Sequence, residues 1–379
     1  MVRIVHVITD LSVGGAQNML YKLLSRTDRQ EFLSEVISLK VIGPIGERIQ
    51  ALGVPVSELC MRPGVPSPGA VLQLARALRR SRPDVVQTWM YHADLMGGLA
   101  ARLVGRLPVA WNVRHSRLDP DIDKPATILV GKLCARLSHR LPNRILSCSE
   151  AGRSVHVGMG YAANKMQVIP NGFDLSAYRA CPSTRQPVRE ELDIPLEAPI
   201  IGLVGRYHPM KDHHGFVQAA KILHARYPEV HYVLCGDEVD GSNAELTGWI
   251  DQAGVRPVFR LLGRRDDLPR LNAAFDIAAL SSRYGEGFPN VVGEAMACGI
   301  PCVVTDVGDA GYIVGETGIT VPPQDPGALA AAWAQLMEMG QEGRQALGDR
   351  ARERVEQEFD LNVIVCRYEQ LYRELSHAI

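Results

Sequence analysis

Two carboxylates and two cations carry the chemistry that can be read from this sequence. Glu286 and Glu294 lie eight residues apart in Ser281-Ser282-Arg283-Tyr284-Gly285-Glu286-Gly287-Phe288-Pro289-Asn290-Val291-Val292-Gly293-Glu294-Ala295-Met296-Ala297-Cys298-Gly299. The apolar run 276–280 before it reads as a buried strand. Pro289 suits the first turn of a helix, where its missing N–H is no loss, and Gly299 suits the stop. A strand, a glycine-rich loop and a helix N-terminus make an anion site, because free N–H groups and the helix dipole point outward there. Carboxylates repel phosphate, so Glu286 and Glu294 are better placed to accept hydrogen bonds from hydroxyl groups on either side of the anion. An anion flanked by polyols is the outline of a nucleotide sugar.

The cations lie upstream, in Gly205-Arg206-Tyr207-His208-Pro209-Met210-Lys211-Asp212, directly after an apolar run at 200–204. Arginine offers a fork of donors and lysine a mobile point charge, a combination that suits a diphosphate. The string is not a P-loop, which ends in Gly-Lys-Ser/Thr. A solvent-exposed pair is the plain alternative. Near the N-terminus, Gly14 and Gly15 in Thr9-Asp10-Leu11-Ser12-Val13-Gly14-Gly15-Ala16-Gln17 would let backbone approach a ligand at a strand's carboxyl end. A tight turn without ligand is the alternative there. His115, in Trp111-Asn112-Val113-Arg114-His115-Ser116-Arg117, falls just past a strand at 108–112, and Arg114 is its rival for a role in the site.

These groups need a scaffold. Strands read near 3–8, 33–39, 84–88, 108–112, 144–148 and 166–169, then near 200–204, 230–235, 258–262, 276–280, 301–305 and 317–321, with helical stretches between. That alternation implies α/β architecture, with parallel sheets and helices on both faces. At 379 residues the chain fits two such domains. Residues 1–176 hold 22 Lys+Arg against 13 Asp+Glu, a balance of +9, while the rest hold 19 against 29, a balance of −10. Halves of opposite sign suggest domains with different partners. The proline-rich stretch 181–199 reads as the linker. The first residues are too short and polar a run for a signal peptide, and no run approaches about 18 apolar residues, so no membrane span is expected. The eight scattered cysteines, Cys298 and Cys302 included, read as buried free thiols suited to a reducing cytoplasm.

The string from Glu286 to Glu294, with the Ala-Met-Ala-Cys-Gly that follows, resembles the E-x7-E motif of retaining glycosyltransferases of family 4, which have the GT-B fold. The Gly-Gly loop, the Gly-Arg-x4-Lys string and Pro170-Asn171-Gly172-Phe173-Asp174 resemble that family's motifs as well. The resemblance implies two Rossmann-like doubly wound domains facing across a cleft: an acceptor-binding domain at 1–178, a nucleotide-sugar-binding domain at 179–358, and a helix at 359–379 crossing back to the first. It implies that Gly14 and Gly15 face the donor phosphates and that Arg206 and Lys211 grip the diphosphate after Gly205. Glu286 would hold the transferred sugar, Glu294 the ribose, and His115 would sit beside the sugar. Gly287, Phe288, Pro289, Asn290, Val291 and Val292 would border the donor, and the strand end at Arg264 would border the nucleobase.

The expected activity is therefore transfer of a hexosyl group from a UDP- or GDP-linked donor to a lipid-linked or polysaccharide-type acceptor. A sugar-nucleotide epimerase of the same fold and a non-catalytic nucleotide-sugar-binding protein are the alternatives. No cofactor, metal or nucleic acid is expected: Asp121-Ile122-Asp123 has the spacing of a metal–nucleotide motif but lacks the preceding strand that motif needs. In the helix read over 127–141, Leu129, Leu133 and Leu137 share one stripe and Lys132, Arg136 and Arg140 another. This is a solvated face or a surface for anionic lipid. The expected place is the cytoplasm, with peripheral contact at the inner face of the membrane.

Overall fold

The computed structural model describes residues 1–61, 67–105, 107–114, 118 and 124–377. The chain divides into two compact units. Met1–Gly172 and Leu361–Ile379 form the first, and Phe173–Asp360 form the second.

The first unit runs β1 (Val2–Ile8), α1 (Gly15–Arg26), β2 (Phe32–Ser38), α2 (Pro44–Ala51), β3 (Val56–Glu58), α3 (Pro68–Ser81), β4 (Val85–Trp89), α4 (Tyr91–Val104), β5 (Val109–Val113), α5 (Pro125–Leu137), β6 (Arg144–Ser147), α6 (Glu150–Gly158) and β7 (Met166–Val168). Its seven strands order as β3-β2-β1-β4-β5-β6-β7, all parallel. Both faces of a parallel sheet are covered by helices, so its central strands are apolar nearly throughout; β4 and β5 are buried at every position. Tyr91 and Trp111 anchor one layer, while Trp89 anchors the other.

The second unit runs α7 (Pro182–Glu191), β8 (Ile200–Val204), α8 (His213–His224), β9 (His231–Cys235), α9 (Ala244–Ala253), β10 (Phe259–Leu261), α10 (Leu268–Asn272), β11 (Ile277–Leu280), α11 (Asn290–Ala297), β12 (Cys302–Thr305), α12 (Ala310–Val314), β13 (Ile319–Val321), α13 (Pro326–Glu338) and α14 (Gly340–Glu358). Its six strands order as β10-β9-β8-β11-β12-β13, all parallel, over a core that includes Phe216, Tyr232 and Trp333. Both units are thus doubly wound. In each, the strand order reverses once, at β1/β4 and at β8/β11, and ligands bind open α/β sheets outside the carboxyl ends at such reversals.

The last helix, α15 (Leu361–Ser376), returns to the first unit. It buries Leu361, Ile364, Val365, Tyr368, Leu371, Tyr372 and Leu375, each worth roughly 2 kcal/mol of apolar burial. Tyr368 stacks on Trp89 at 6.2 Å, and Arg373 grips Glu31 through two contacts of 2.6 Å.

Three expectations change. The proline-rich stretch 181–199 is no linker: α7 forms within it, and the division falls at Gly172/Phe173 instead. Arg189 explains this. It is almost fully buried, donates to the carbonyls of Pro195, Leu196 and Ala198, and pairs with Asp276 at 2.7 Å, with Arg185 on the other oxygen at 2.6 Å. The strand β3 has no counterpart in the sequence reading; it is three residues long and partly exposed, so it carries almost no apolar signal. The cysteines are all unpaired, but Cys60 and Cys366 are exposed and Cys181 is half-buried.

Candidate functional site

The carboxyl ends of β8 and β11 hold the cations and the carboxylates next to each other. After β8 the Gly205 N–H donates to the Cys235 carbonyl at 2.8 Å, tying the ends of β8 and β9. Gly236 has φ +158, and a Cβ there would lie 2.1 Å from the Gly205 carbonyl, so a side chain is excluded. His208 accepts from the Met210 N–H at 3.2 Å and starts a short 3-10 turn, Pro209–Lys211. Asp212 then caps α8 by accepting from the Gly215 N–H at 3.1 Å. These caps fix Lys211 between two rigid pieces.

Lys211 Nζ lies 2.6 Å from Glu286 Oε1, and the side chains are only 12% and 9% exposed. Ser282 Oγ donates to the same oxygen at 2.6 Å. Ser281 Oγ donates to the Lys211 carbonyl at 2.7 Å, and the Arg283 N–H to the Met210 carbonyl at 2.8 Å. The loops after β8 and β11 are therefore stitched through backbone and side chains alike. From β12, Thr305 Oγ1 donates to the Ser282 carbonyl at 2.7 Å and the Asp309 N–H to the Gly287 carbonyl at 2.9 Å. Gly308, at φ +63, passes so close that a Cβ would lie 2.4 Å from the Glu286 carbonyl.

Arg206 is exposed and has no ion-pair partner among the described residues. Its charge still reaches the site: burial, then Arg206 and Lys211, push the His208 imidazole below its ordinary range. Burial and Lys211 lower His213 to about 4. Both rings are thus neutral near pH 7, and the positive potential belongs to Arg206 and Lys211.

The helix α11 starts at Asn290 with no side-chain cap, which leaves its N-terminus suited to an anion. Phe288, Pro289 and Val292 are buried, and Phe288 stacks on Phe173 at 6.2 Å, so only their backbone is offered to a ligand. Val291 and Asn290 are half-buried. Glu294, in the second turn, meets Tyr178. Burial first, and then the Glu294 carboxylate, which accepts a hydrogen bond from it, raise the Tyr178 hydroxyl above its ordinary range. Arg264 is exposed at the end of β10, 4.0 Å from Asp237 and 3.9 Å from Asp266. The Gly236 N–H joins that strand end through the Gly263 carbonyl at 2.9 Å.

In the first unit, Gly14 caps α1 without a side chain, and a Cβ on Gly15 would meet nothing within 4 Å. On Gly14, by contrast, a Cβ would lie 2.5 Å from Gln17 Oε1. Arg114 follows β5, donates to Asn171 Oδ1 at 2.5 Å and lies over the Trp89 ring at 5.8 Å. Its Nη1 is buried with no hydrogen-bond partner among the described residues. His115 and the Asp121-Ile122-Asp123 string lie outside the described residues.

Sequence reasoning missed two groups. Tyr178 is one. The other is Asp94, fully buried in the first turn of α4, which accepts from Thr88 Oγ1 at 2.5 Å and from the Asn112 N–H at 3.3 Å. Burial lifts its carboxyl to about 7, against the pull of those two hydrogen bonds. An acidic residue inside the apolar run 91–104 was the available signal.

Residues 13–177 match the family described as Glycosyltransferase Family 4, and residues 198–339 match Glycosyl transferases group 1. The chain is 30% identical over 290 residues to a D-inositol 3-phosphate glycosyltransferase of Xylanimonas cellulosilytica, covering 72% of this chain and 68% of that one. It is 24% identical over 314 residues to the UDP-Gal:alpha-D-GlcNAc-diphosphoundecaprenol alpha-1,3-galactosyltransferase of Escherichia coli, covering 81% and 80%. Among solved structures it resembles Anabaena HepE in complex with UDP, with a TM-score of 0.84 at 23% identity over 98% and 100% of the two chains. It also resembles sucrose-phosphate synthase from Thermosynechococcus elongatus, with a TM-score of 0.77 at 19% identity over the whole of both. At such identities the structural likeness establishes the fold.

Proposed function

Because this chain belongs to glycosyltransferase family 4, we propose that it is a retaining hexosyltransferase that takes its sugar from a UDP-linked donor and passes it to a lipid-linked acceptor. The observation that carries this reading is the constellation at the β8/β11 reversal: Arg206, Lys211, the uncapped start of α11, Glu286 and Glu294. A UDP donor is supported by the complexes of HepE, and a lipid-linked acceptor by the name of the Escherichia coli relative.

In this reading Arg206 and Lys211 neutralise the charge that grows on the leaving diphosphate, the largest electrostatic demand of the reaction. The N–H groups of α11 add to it. Glu294 holds ribose hydroxyls, Glu286 holds the transferred sugar, and His115 sits beside that sugar with Arg114 near. The acceptor oxygen bonds to the anomeric carbon on the face from which the diphosphate departs. The sugar–phosphate bond breaks, and the acceptor's proton passes to the leaving phosphate oxygen. Two cations do here what a metal's charge would do, so transfer continues in excess EDTA; loss of transfer restored by magnesium would refute this.

A lipid-linked acceptor implies peripheral contact with an anionic membrane. The exposed face of α5 supports it: Leu129 and Leu133 are 56% and 39% exposed, beside the exposed Lys132 and Arg136. Leucines and cations on one face suit the headgroup boundary. No helix among the described residues is long and apolar enough to cross a membrane.

Thermal shifts with a panel of nucleotide sugars test the donor. A ligand at about 100 times its Kd stabilises by about 2.7 kcal/mol, so UDP-sugars should raise Tm and GDP-sugars should not. Absence of transfer from every stabilising donor to lipid-linked acceptors would overturn the enzyme reading.

A further inference from the structure

At the opposite end of the first sheet lies a cavity of about 440 Å³, lined among others by Arg102, Leu107, Arg140, Arg144, Lys165 and Glu374. Leu107 precedes β5 and Arg144 opens β6, so the cavity is at the foot of the first sheet, at the amino ends of its strands. The five residues of β5, at about 3.3 Å each, separate this foot from Arg114 by roughly 17 Å.

The four cations differ in how they are held. Lys165 spends its donors on the carbonyls of Ser138, His139 and Pro142, at 3.2, 2.8 and 2.8 Å. It is a fixed charge. Burial and then the charge of Arg102 lower its pKa, which places the two cations within reach of each other's field. Arg102, Arg140 and Arg144 are exposed and have no ion-pair partner among the described residues. Glu374, the one carboxylate lining the cavity among the described residues, accepts from Gln370 at 3.1 Å. Arg144 donates to the Asn143 carbonyl at 3.2 Å, yet four like charges gathered around one hollow still repel each other. Three of them are arginines, whose planar forks fit phosphate oxygens in pairs.

We propose that this cavity is a second anion site, built for a phosphate group and separate from the donor site. Two sources share that chemistry. One is the headgroup of an anionic lipid, since Arg140 follows α5 in the row Leu129, Lys132, Leu133, Arg136 at helical spacing; that source rests on the membrane part of the reading above. The other is a soluble phosphate compound.

The test uses the full chain and three variants: the cavity triple Arg102→Gln, Arg140→Gln, Arg144→Gln; the same triple to Lys; and the α5 pair Lys132→Gln, Arg136→Gln. Pyrophosphate is titrated calorimetrically in an Arg206→Ala, Lys211→Ala background, which silences the donor grip. Co-sedimentation is measured with phosphatidylglycerol–phosphatidylcholine vesicles against pure phosphatidylcholine. The Gln triple should bind pyrophosphate at least about tenfold more weakly. The Lys triple should fall between it and the unmodified cavity, and the α5 pair should leave pyrophosphate binding alone. If the Gln triple also loses the anionic vesicles, the source is a headgroup; if it keeps them, the source is soluble. Unchanged pyrophosphate binding in the Gln triple overturns the site. Vesicle binding that then falls only in the α5 pair leaves the membrane reading standing without it.

Discussion

Lys211 Nζ rests 2.6 Å from Glu286 Oε1, so a cation assigned to the donor's diphosphate and a carboxylate assigned to its sugar hold each other. Nearly buried on both sides, the pair is costly to break from one end, by about 3 kcal/mol. A donor must take over both partners at once. Glu286→Gln should therefore lower Tm, hold free UDP as tightly as wild type or tighter, and reduce kcat for transfer roughly a hundredfold or more. Binding of UDP that weakens in step with kcat would show that the carboxylate does not compete for Lys211.

Arg206 carries no such structural duty, being exposed and without an ion pair among the described residues. Arg206→Ala should remove charge-assisted hydrogen bonds worth about 1.5–3 kcal/mol, a ten- to hundredfold loss in donor kcat/KM, with Tm of the ligand-free protein unchanged. Wild-type kcat/KM would remove Arg206 from the diphosphate grip.

Tyr178 positions the Glu294 carboxylate through its hydroxyl. Tyr178→Phe keeps the ring and deletes the donor. Donor KM should rise by about tenfold, one hydrogen bond to a charged group, while kcat stays within a few-fold because the reacting atoms are elsewhere. A fall in kcat at constant KM would assign Tyr178 a different role.

Asp94 makes stability depend on pH. Its folded pKa of about 7 exceeds the unfolded value of about 3.9, so the native state keeps the proton longer. The stability it contributes is complete below about pH 4 and is lost as pH rises through 7. A lift of roughly three pH units corresponds to about 4 kcal/mol. Its neighbours Cys134 and Tyr161 are pushed upward by burial and stay neutral in this range. Asp94→Asn retains an acceptor for Thr88 and has no proton to lose, so its Tm should gain on wild type from about pH 5 to about pH 8. A constant difference across that range would mean that Asp94 is neutral throughout or charged throughout.

The site was legible where it is local. Gly205 to Asp212 and Ser281 to Glu294 are each a strand end, a turn and a helix start, and turn chemistry is written in adjacent residues. What stayed hidden depends on distant chain. Tyr178 and Glu294 meet only through the fold, and so do Lys211 and Glu286. The helix α7 was hidden for a similar reason. Pro187 inside it argues against a helix locally, while the buried Arg189 and its contacts with Asp276 outweigh that signal. The spacing of Arg185 and Arg189, one helical turn apart on one face, was the clue available. In α5 the leucine spacing did not say which face packs inward; Val130, Cys134 and Ala135 are buried, and Leu129 and Leu133 face outward.

The return of α15 to the first unit sets an order on biosynthesis. The first 172 residues leave the ribosome without the helix that covers Trp89, Ile4 and Phe32. The 188 residues of the second unit come between, which at about 5–20 residues per second takes roughly 10–40 s. The later-made unit is contiguous and can close on its own, whereas the earlier one waits with an apolar face uncovered. Nascent chains paused before residue 361 should therefore be the species that chaperones hold, and a chain ending at Asp360 should aggregate through that face even though its second unit is whole.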